Sequence, residues 1–436
     1  MLKTTTGPDL TIDSWRQLSS TAKIAAFKRL PPGEDDEFFL SLTAREQSEL
    51  LLGLPELERR LWVRLLAPDD AADLLQATPD GHRQSLMRYL DFSAQREVSA
   101  LLAYAEDEAG GLMSTRYARL RPEMTVDEAF AYLRRQAGQV ETIYYGYVLD
   151  QEQRLLGIAS FRDLFSVDRD RRVEDVMRKR FISVGEGTDQ EDVARLFEEH
   201  GLLAVPVVDE QGRMKGLVTV DDIVDVVEEE ASEDIQRIGG MEALEAPYMA
   251  TKFSQLVRKR AGWLAVLFVG EMLTATAMAR YEGEIAKAVV LAVFIPLIIS
   301  SGGNSGSQAT TLVIRAMALG EVRLKDWWRV VRRELLMGLV LGSILATIGL
   351  CRIVLWQVVA GSYGEHYLKI GFTVALSLLG VVLFGTLSGS MLPFILKRAG
   401  LDPASASAPF VATLVDVTGL IIYFSVAAAV LRGSLL

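Results

Sequence analysis

The chain has 436 residues, enough for two or three domains, and its charge divides it in two. Residues 1–260 hold 48 acidic and 33 basic side chains, whereas residues 261–436 hold 9 and 13 and are strongly apolar. The acidic front excludes a nucleic-acid partner, which calls for a basic face, and the lone Cys351 excludes an intrachain disulfide. In chain order, residues 10–112 read as short helices. Leu and Ala recur at helical spacing in residues 46–52, 61–66 and 71–77, and Pro31-Pro32, Pro55 and Pro68 break them. This predicts an all-α domain.

Residues 113–230 repeat internally. Leu156-Gly157-Ile158-Ala159-Ser160-Phe161-Arg162-Asp163-Leu164 matches Lys215-Gly216-Leu217-Val218-Thr219-Val220-Asp221-Asp222-Ile223 at an offset of 59 residues. Each half has a Thr-led acidic stretch that predicts a helix start: Thr125-Val126-Asp127-Glu128 and Thr188-Asp189-Gln190-Glu191. An apolar strand (144–148 and 204–208), a turn and a second strand running into a helix complete a β-α-β-β-α unit. The pattern resembles a tandem CBS (cystathionine-β-synthase-like) pair. That resemblance implies adenine nucleotide (ATP) binding between the halves, with Asp222 where ribose-binding acids occur.

Asp221, Asp222, Asp225, Glu228, Glu229, Glu230, Glu233 and Asp234 crowd into fourteen residues. On a helix, like charges three or four apart repel. A divalent ion that neutralised them would let two acidic surfaces approach, and its loss would part them: a gate. The run leads to a connecting helix at about 253–260.

Five apolar segments are long enough to span a bilayer, at about 261–281, 286–318, 334–358, 368–396 and 406–431, and the first run of that length begins near Ala261. Within the second, Gly302, Gly303 and Gly306 mark an expected helix break, and residues 300–308 read as a pore wall or a packing seam. Asn304 and Gln308 share a helical face. Basic residues gather before the first span (Lys252, Arg258, Lys259, Arg260), in the second connection (Arg315, Arg323, Lys325, Arg329, Arg332, Arg333) and in the fourth (Lys397, Arg398). The first and third connections hold only Arg280, Lys287 and Lys369. The positive-inside rule then sets the N-terminal part in the cytoplasm and the C-terminus outside. Two acids, Glu271 and Asp416, lie well inside spans. A carboxylate there costs roughly 3 kcal/mol and faces water, a partner or an ion. Arg352 is the one base at comparable depth, so a cation is the natural counter-charge. The alternative for Asp416 and Glu271 is a hydrogen bond to a neighbouring helix.

Seven segments in order resemble the MgtE family of magnesium channels: Glu106-Asp107-Glu108-Ala109-Gly110-Gly111-Leu112-Met113, Glu141-Thr142-Ile143-Tyr144-Tyr145, Thr188-Asp189-Gln190-Glu191, Ser232-Glu233-Asp234-Ile235, Gly302-Gly303-Asn304-Ser305-Gly306-Ser307-Gln308, Met391-Leu392-Pro393-Phe394 and Leu414-Val415-Asp416-Val417-Thr418-Gly419-Leu420. The resemblance implies a multidomain chain: a helical cytosolic N domain (1–112), an α/β tandem CBS pair (113–230), an acidic linker and plug helix (231–260) and an all-α five-helix transmembrane domain (261–436). It implies a homodimer in the cell membrane with its pore at the subunit interface. Asp416 there holds hydrated Mg2+, and Gly302, Gly303, Asn304, Gln308, Ala412 and Glu271 line the path. It further implies cytosolic Mg2+ sites that hold the pore shut, at Asp189, Glu191, Asp222, Asp225, Glu230, Glu233 and Asp234, with Asp69 and Asp73 facing the CBS pair. Two positions depart from the family: Gly201, beside His200, replaces an acid, and Ala408 replaces an asparagine near the pore. The plug segment carries only Glu242 and Glu245. The alternatives are an ion-coupled carrier using Glu271 and Asp416, a channel for Co2+, Mn2+ or Ca2+, and a membrane-anchored nucleotide sensor. His82, His200 and His366 are scattered, and with no nucleophile or phosphate-binding glycine loop the chain is not expected to be an enzyme.

Overall fold

A computed structural model describes residues 11–244, 248–249, 251–283 and 289–432. Glu245 and Lys287 lie outside these. The chain forms two compact units, Met1–Glu228 and Glu229–Leu436.

The first unit opens with eight helices: α1 (Ile12–Arg16), α2 (Ser20–Phe27), α3 (Glu34–Leu40), α4 (Ala44–Gly53), α5 (Glu56–Leu65), α6 (Pro68–Gln76), α7 (Asp80–Met87) and α8 (Phe92–Leu101). Prolines start three of them: Pro55 and Pro79 precede α5 and α7, and Pro68 opens α6. Thr43 and Glu46 form a reciprocal capping box on α4. Trp15, Phe39, Leu50, Leu51 and Leu74 are fully or almost fully buried in their core.

After α9 (Ala109–Leu112), two similar halves follow. The first has β1 (Arg119–Leu120), α10 (Val126–Gln136), β2 (Tyr145–Leu149), β3 (Leu155–Ser160) and α11 (Phe161–Phe165). Helix α12 (Val173–Val176) leads to the second: β4 (Val184–Gly185), α13 (Gln190–His200), β5 (Ala204–Val208), β6 (Met214–Thr219) and α14 (Val220–Ile238). Each sheet pairs its first two strands in parallel and its last two antiparallel. Each also has a register shift at equivalent places, Val148/Leu149 and Val207/Val208. The halves interlock: Ser114 pairs with Leu217, and Tyr117 Oη donates to the Met214 carbonyl at 3.3 Å. Thr125 caps α10 with Glu128 as expected. In the second half the cap is Asp189, not Thr188: its carboxylate accepts from the Glu191 N–H at 2.8 Å. Gly201 terminates α13 in the left-handed region at φ +60°, where an acidic side chain would be strained.

Among the described residues the second unit has five helices long and apolar enough to cross a membrane: Phe253–Arg280, Val289–Ala318, Leu324–Ala360, Tyr367–Arg398 and Ala408–Leu431. We call these the first to fifth spans. The connecting helix is continuous with the first span. The second span corrects an expectation. Its glycines do not break it; the α-helix Ile295–Ala318 runs through all three. The change of geometry comes earlier, where the 3-10 helix Val289–Phe294 gives way to α at Pro296. In hydrocarbon an opened helix would strand backbone polar groups, so glycines at a tight contact are used for approach instead. Gly302 and Gly306 face Gly385 and Gly389 of the fourth span. A Cβ on Gly385 would stand 2.5 Å from the Gly302 carbonyl, and one on Gly306 3.0 Å from that of Gly385. Thr310 Oγ1 donates across the same seam to the Gly389 carbonyl at 2.9 Å.

Candidate functional site

In the second unit, the fifth span brings Asp416 to the glycine wall. A Cβ on Gly303 would lie 3.5 Å from Ala412 Cβ and 3.7 Å from Asp416 Oδ1, so one bare glycine leaves the carboxylate room. The first span packs on the fifth at this level, where a Cβ on Gly270 would stand 3.0 Å from Thr413 Cγ2, and it sets Glu271 near Asp416. Both partners are acids. Arg352 does not reach them: its guanidinium stacks over Phe294 and Trp356 and approaches Tyr363 Oη at 3.5 Å. Asn304 and Gln308 are both exposed on one face of the second span, and the Asn304 amide donates to Ser300 Oγ at 3.4 Å. At Ala408 the backbone takes part, because Ser307 Oγ donates to its carbonyl at 3.1 Å.

In the first unit, α6 carries Asp69, Asp70 and Asp73 toward the start of α14. Asp70 and Asp73 keep contact with solvent, yet enclosure by surrounding protein is the largest influence on both. Enclosure, then Asp70, Asp69, Asp222 and Glu106, push Asp73 up to about 8. Enclosure, then Asp69 and Asp221, raise Asp70 to about 6. Burial raises Asp222 to about 7, with Asp221 and Asp69 adding to it and a Thr219 hydrogen bond opposing. Burial also raises Asp69, whose Oδ1 is buried without a hydrogen-bond partner. Glu141 and Asp225 are exposed, yet crowding by neighbouring protein raises both, with Asp69, Asp70 and Asp221 adding at Glu141 and Glu228 and Asp221 at Asp225. These are carboxylates that lack enough positive charge, which is what a divalent cation supplies. Among the described residues no three His, Cys, Asp or Glu side chains already close on one metal point.

The other expected sensor acids lie elsewhere. Asp189 is committed to capping α13, and Glu191 pairs with Arg195 at 2.9 Å. Glu233 pairs with Arg237. Glu230 and Asp234 lie on the last two turns and a half of α14. Reading residue types along the chain misses Asp70, Glu106 and Glu141 as members of this group. For Asp70 the signal is present, since it adjoins Asp69, already singled out.

A cleft of about 580 Å3 opens in the paired halves, lined by Tyr144, Tyr145, Ser160, Phe161, Arg162, Phe165, Ser166, Arg178 and Leu203. Phe161 and Phe165 stack at 6.3 Å, and Arg178 donates to Asp163 at 2.8 Å. Asp163 is the repeat counterpart of Asp222. Asp222 itself is not in this lining.

A helical front domain, a paired α/β module and, among the described residues, five membrane-length helices are the parts of a multi-pass membrane transporter with a large soluble portion. The family model for the divalent cation transporter MgtE matches residues 295–426, that for the MgtE intracellular N domain residues 8–107, and the CBS model residues 109–170 and 173–229. A magnesium transporter MgtE of Thermus thermophilus is 40% identical over 422 residues, 96% of this chain and 92% of its own. One of Enterococcus faecalis is 36% identical over 448 residues, 94% of this chain and 96% of its own. Among solved structures, the cytosolic domain of the Mg2+ channel MgtE in complex with ATP is 43% identical with a TM-score of 0.47, covering 49% of this chain and 87% of that one. The chain belongs to the MgtE family of magnesium transporters, which are not enzymes.

Proposed function

We propose that this chain forms a homodimeric Mg2+ channel in the cell membrane, with its N-terminal part in the cytoplasm. Cytosolic Mg2+ closes it and a fall in Mg2+ opens it. What carries the transport reading is the meeting of Asp416 and Glu271 at membrane depth, beside a wall of bare glycine backbone. Two carboxylates so placed attract a cation strongly. Mg2+ sheds water reluctantly, so Asp416 would hold it through its hydration shell, with Gly302, Gly303, Asn304, Gln308 and Ala412 shaping the path. Replacing Asp416 with Ala should abolish Mg2+ uptake in cells lacking their own uptake systems; normal uptake would defeat the assignment. A carrier built on the same carboxylate pair is the competing reading, and single-channel current in patches of reconstituted protein separates them.

Closure is assigned to the α6–α14 carboxylates Asp69, Asp70, Asp73, Asp221 and Asp222, with Asp225 extending the same surface, and Glu230 and Asp234 are further candidates on the later part of α14. Their mutual repulsion raises the free energy of the ion-free arrangement, and bound Mg2+ removes it. Asp189 and Glu191 are weaker candidates because each already has a local partner.

ATP is assigned to the cleft of the paired halves. Arg162 and Arg178 offer cations for phosphate, and Phe161, Phe165 and Tyr144 offer faces for a base. Asp222 is surrounded by acids that would repel phosphate, so we place the nucleotide at the first half's end of the module instead. Calorimetric titration of ATP into wild type and Arg178→Ala tests this: binding should weaken by at least about tenfold, roughly one charge-assisted bond.

A further inference from the structure

We propose that Arg237 is the residue through which the acid-rich helix α14 positions the fifth span, and so Asp416. The proposal rests on the Mg2+-gated reading above. Arg237 sits in the last turn of α14. Its guanidinium forks, pairing through one nitrogen with Glu233 on its own helix and through another with Asp402, 165 residues further on. Glu230 adds to the same negative surroundings. A forked, permanently charged group can hold two carboxylates at once in fixed directions, which a lysine cannot.

Asp402 lies in the turn that leads into the fifth span. Its second oxygen accepts from the Ala404 N–H at 2.8 Å, closing the 3-10 turn Pro403–Ser405. Two residues on, Ser407 caps the fifth span through the Phe410 N–H and accepts from Trp263 Nε1 at 3.1 Å. The chain just after Arg237 reaches the same place. Ile238 packs on Ile314, Ala404 and Ala406. Gly240, at φ +73°, lies so close to Trp263 and Pro409 that a Cβ would stand 2.9 Å and 3.2 Å from them. The end of α14 therefore grips residues 402–409 from two sides. Asp416 follows eight residues into the helix, about 12 Å along its axis. A helix transmits a shift at its cap to that depth, since its backbone bonds hold its rise fixed.

The arrangement also separates Glu233 from the sensing acids. A tethered guanidinium already neutralises it, so Glu233 acts by transmitting the position of α14 and not by binding an ion.

The test uses the full chain in liposomes, with Mg2+ flux recorded against Mg2+ on the cytosolic face. Arg237→Ala and Asp402→Asn should each raise the half-closing Mg2+ concentration by at least about tenfold, within the usual range of coupling factors, while flux at low Mg2+ stays within about twofold of wild type. Arg237→Lys should give a smaller shift. The double variant Arg237→Ala/Asp402→Asn should shift the half-closing concentration no further than the larger single, whereas two unrelated losses of stability would add. Should Arg237→Ala fail to fold, Asp402→Asn, equal in size, carries the test. A wild type that closes with Mg2+ while both single variants close at the same concentration overturns the proposal alone. So does a double variant whose shift is the sum of the two singles. A wild type indifferent to Mg2+ overturns the gating reading and this proposal with it.

Discussion

Asp70, Asp73 and Asp222 rise to about 6, 8 and 7, against an ordinary value of 3.8. With folded pKa values raised, the folded unit binds more protons than the unfolded chain. Stability is fully present below the ordinary aspartate range and is lost as pH rises through about 6 to 8. Limited proteolysis should therefore quicken between about pH 5.5 and about pH 8.5 in the absence of divalent ions, and Mg2+ at the higher pH should slow it again. A cleavage rate that is flat across this range, or unmoved by Mg2+, would remove these acids from the sensing surface. At this scale residue type alone leaves much undecided. Asp69 and Asp73 are legible only through the family resemblance, and Glu141 joins them only through the fold. Asp189 is an acid like the others, yet its carboxylate is committed to a helix cap, which residue type cannot reveal.

At the scale of elements, the seam between the second and fourth spans makes the sharpest prediction. A methyl added at Gly306 meets Val411 Cγ1 at 2.8 Å and the Gly385 carbonyl at 3.0 Å, whereas one at Gly303 meets Ala412 at an ordinary 3.5 Å. Gly306→Ala should lower the melting temperature in detergent, with a cost of about 1–3 kcal/mol from overpacking, while Gly303→Ala should melt like wild type. Equal behaviour of the two would refute the seam. The sequence pattern of these glycines is the same for a break and for close packing, and what decides it is Gly385 and Gly389, some eighty residues away. Local signals fared better. The Thr125–Glu128 cap, the strand Ala204–Val208 and the proline-bounded helices α5 and α6 all lie where their periodicity and caps place them. The nucleotide cleft was legible as a repeat but not as to which half lines it, because the two halves match at the acid, Asp163 and Asp222, and differ in the charges around it.

For the whole molecule, closure by Mg2+ predicts that removing the sensor charge uncouples transport from cytosolic Mg2+. Replacing Asp69, Asp70, Asp73 and Asp222 together by Asn should leave flux intact at low Mg2+ and nearly unchanged at high Mg2+, where wild type falls by about tenfold or more. A variant that still closes at the wild-type concentration would place the sensor elsewhere. The glycine seam bears on the molecule in one further way. Glycine has no rotamers to freeze, so bringing the second and fourth spans together costs no side-chain entropy at Gly302, Gly306, Gly385 and Gly389. Contacts of that kind weaken little on warming, whereas the long leucine, methionine and isoleucine side chains on the outer face of the third span, among them Leu336, Met337 and Ile344, gain disorder with temperature. The two joined helices thus form a thermally stiff spine, and heat should loosen the molecule first at its margins.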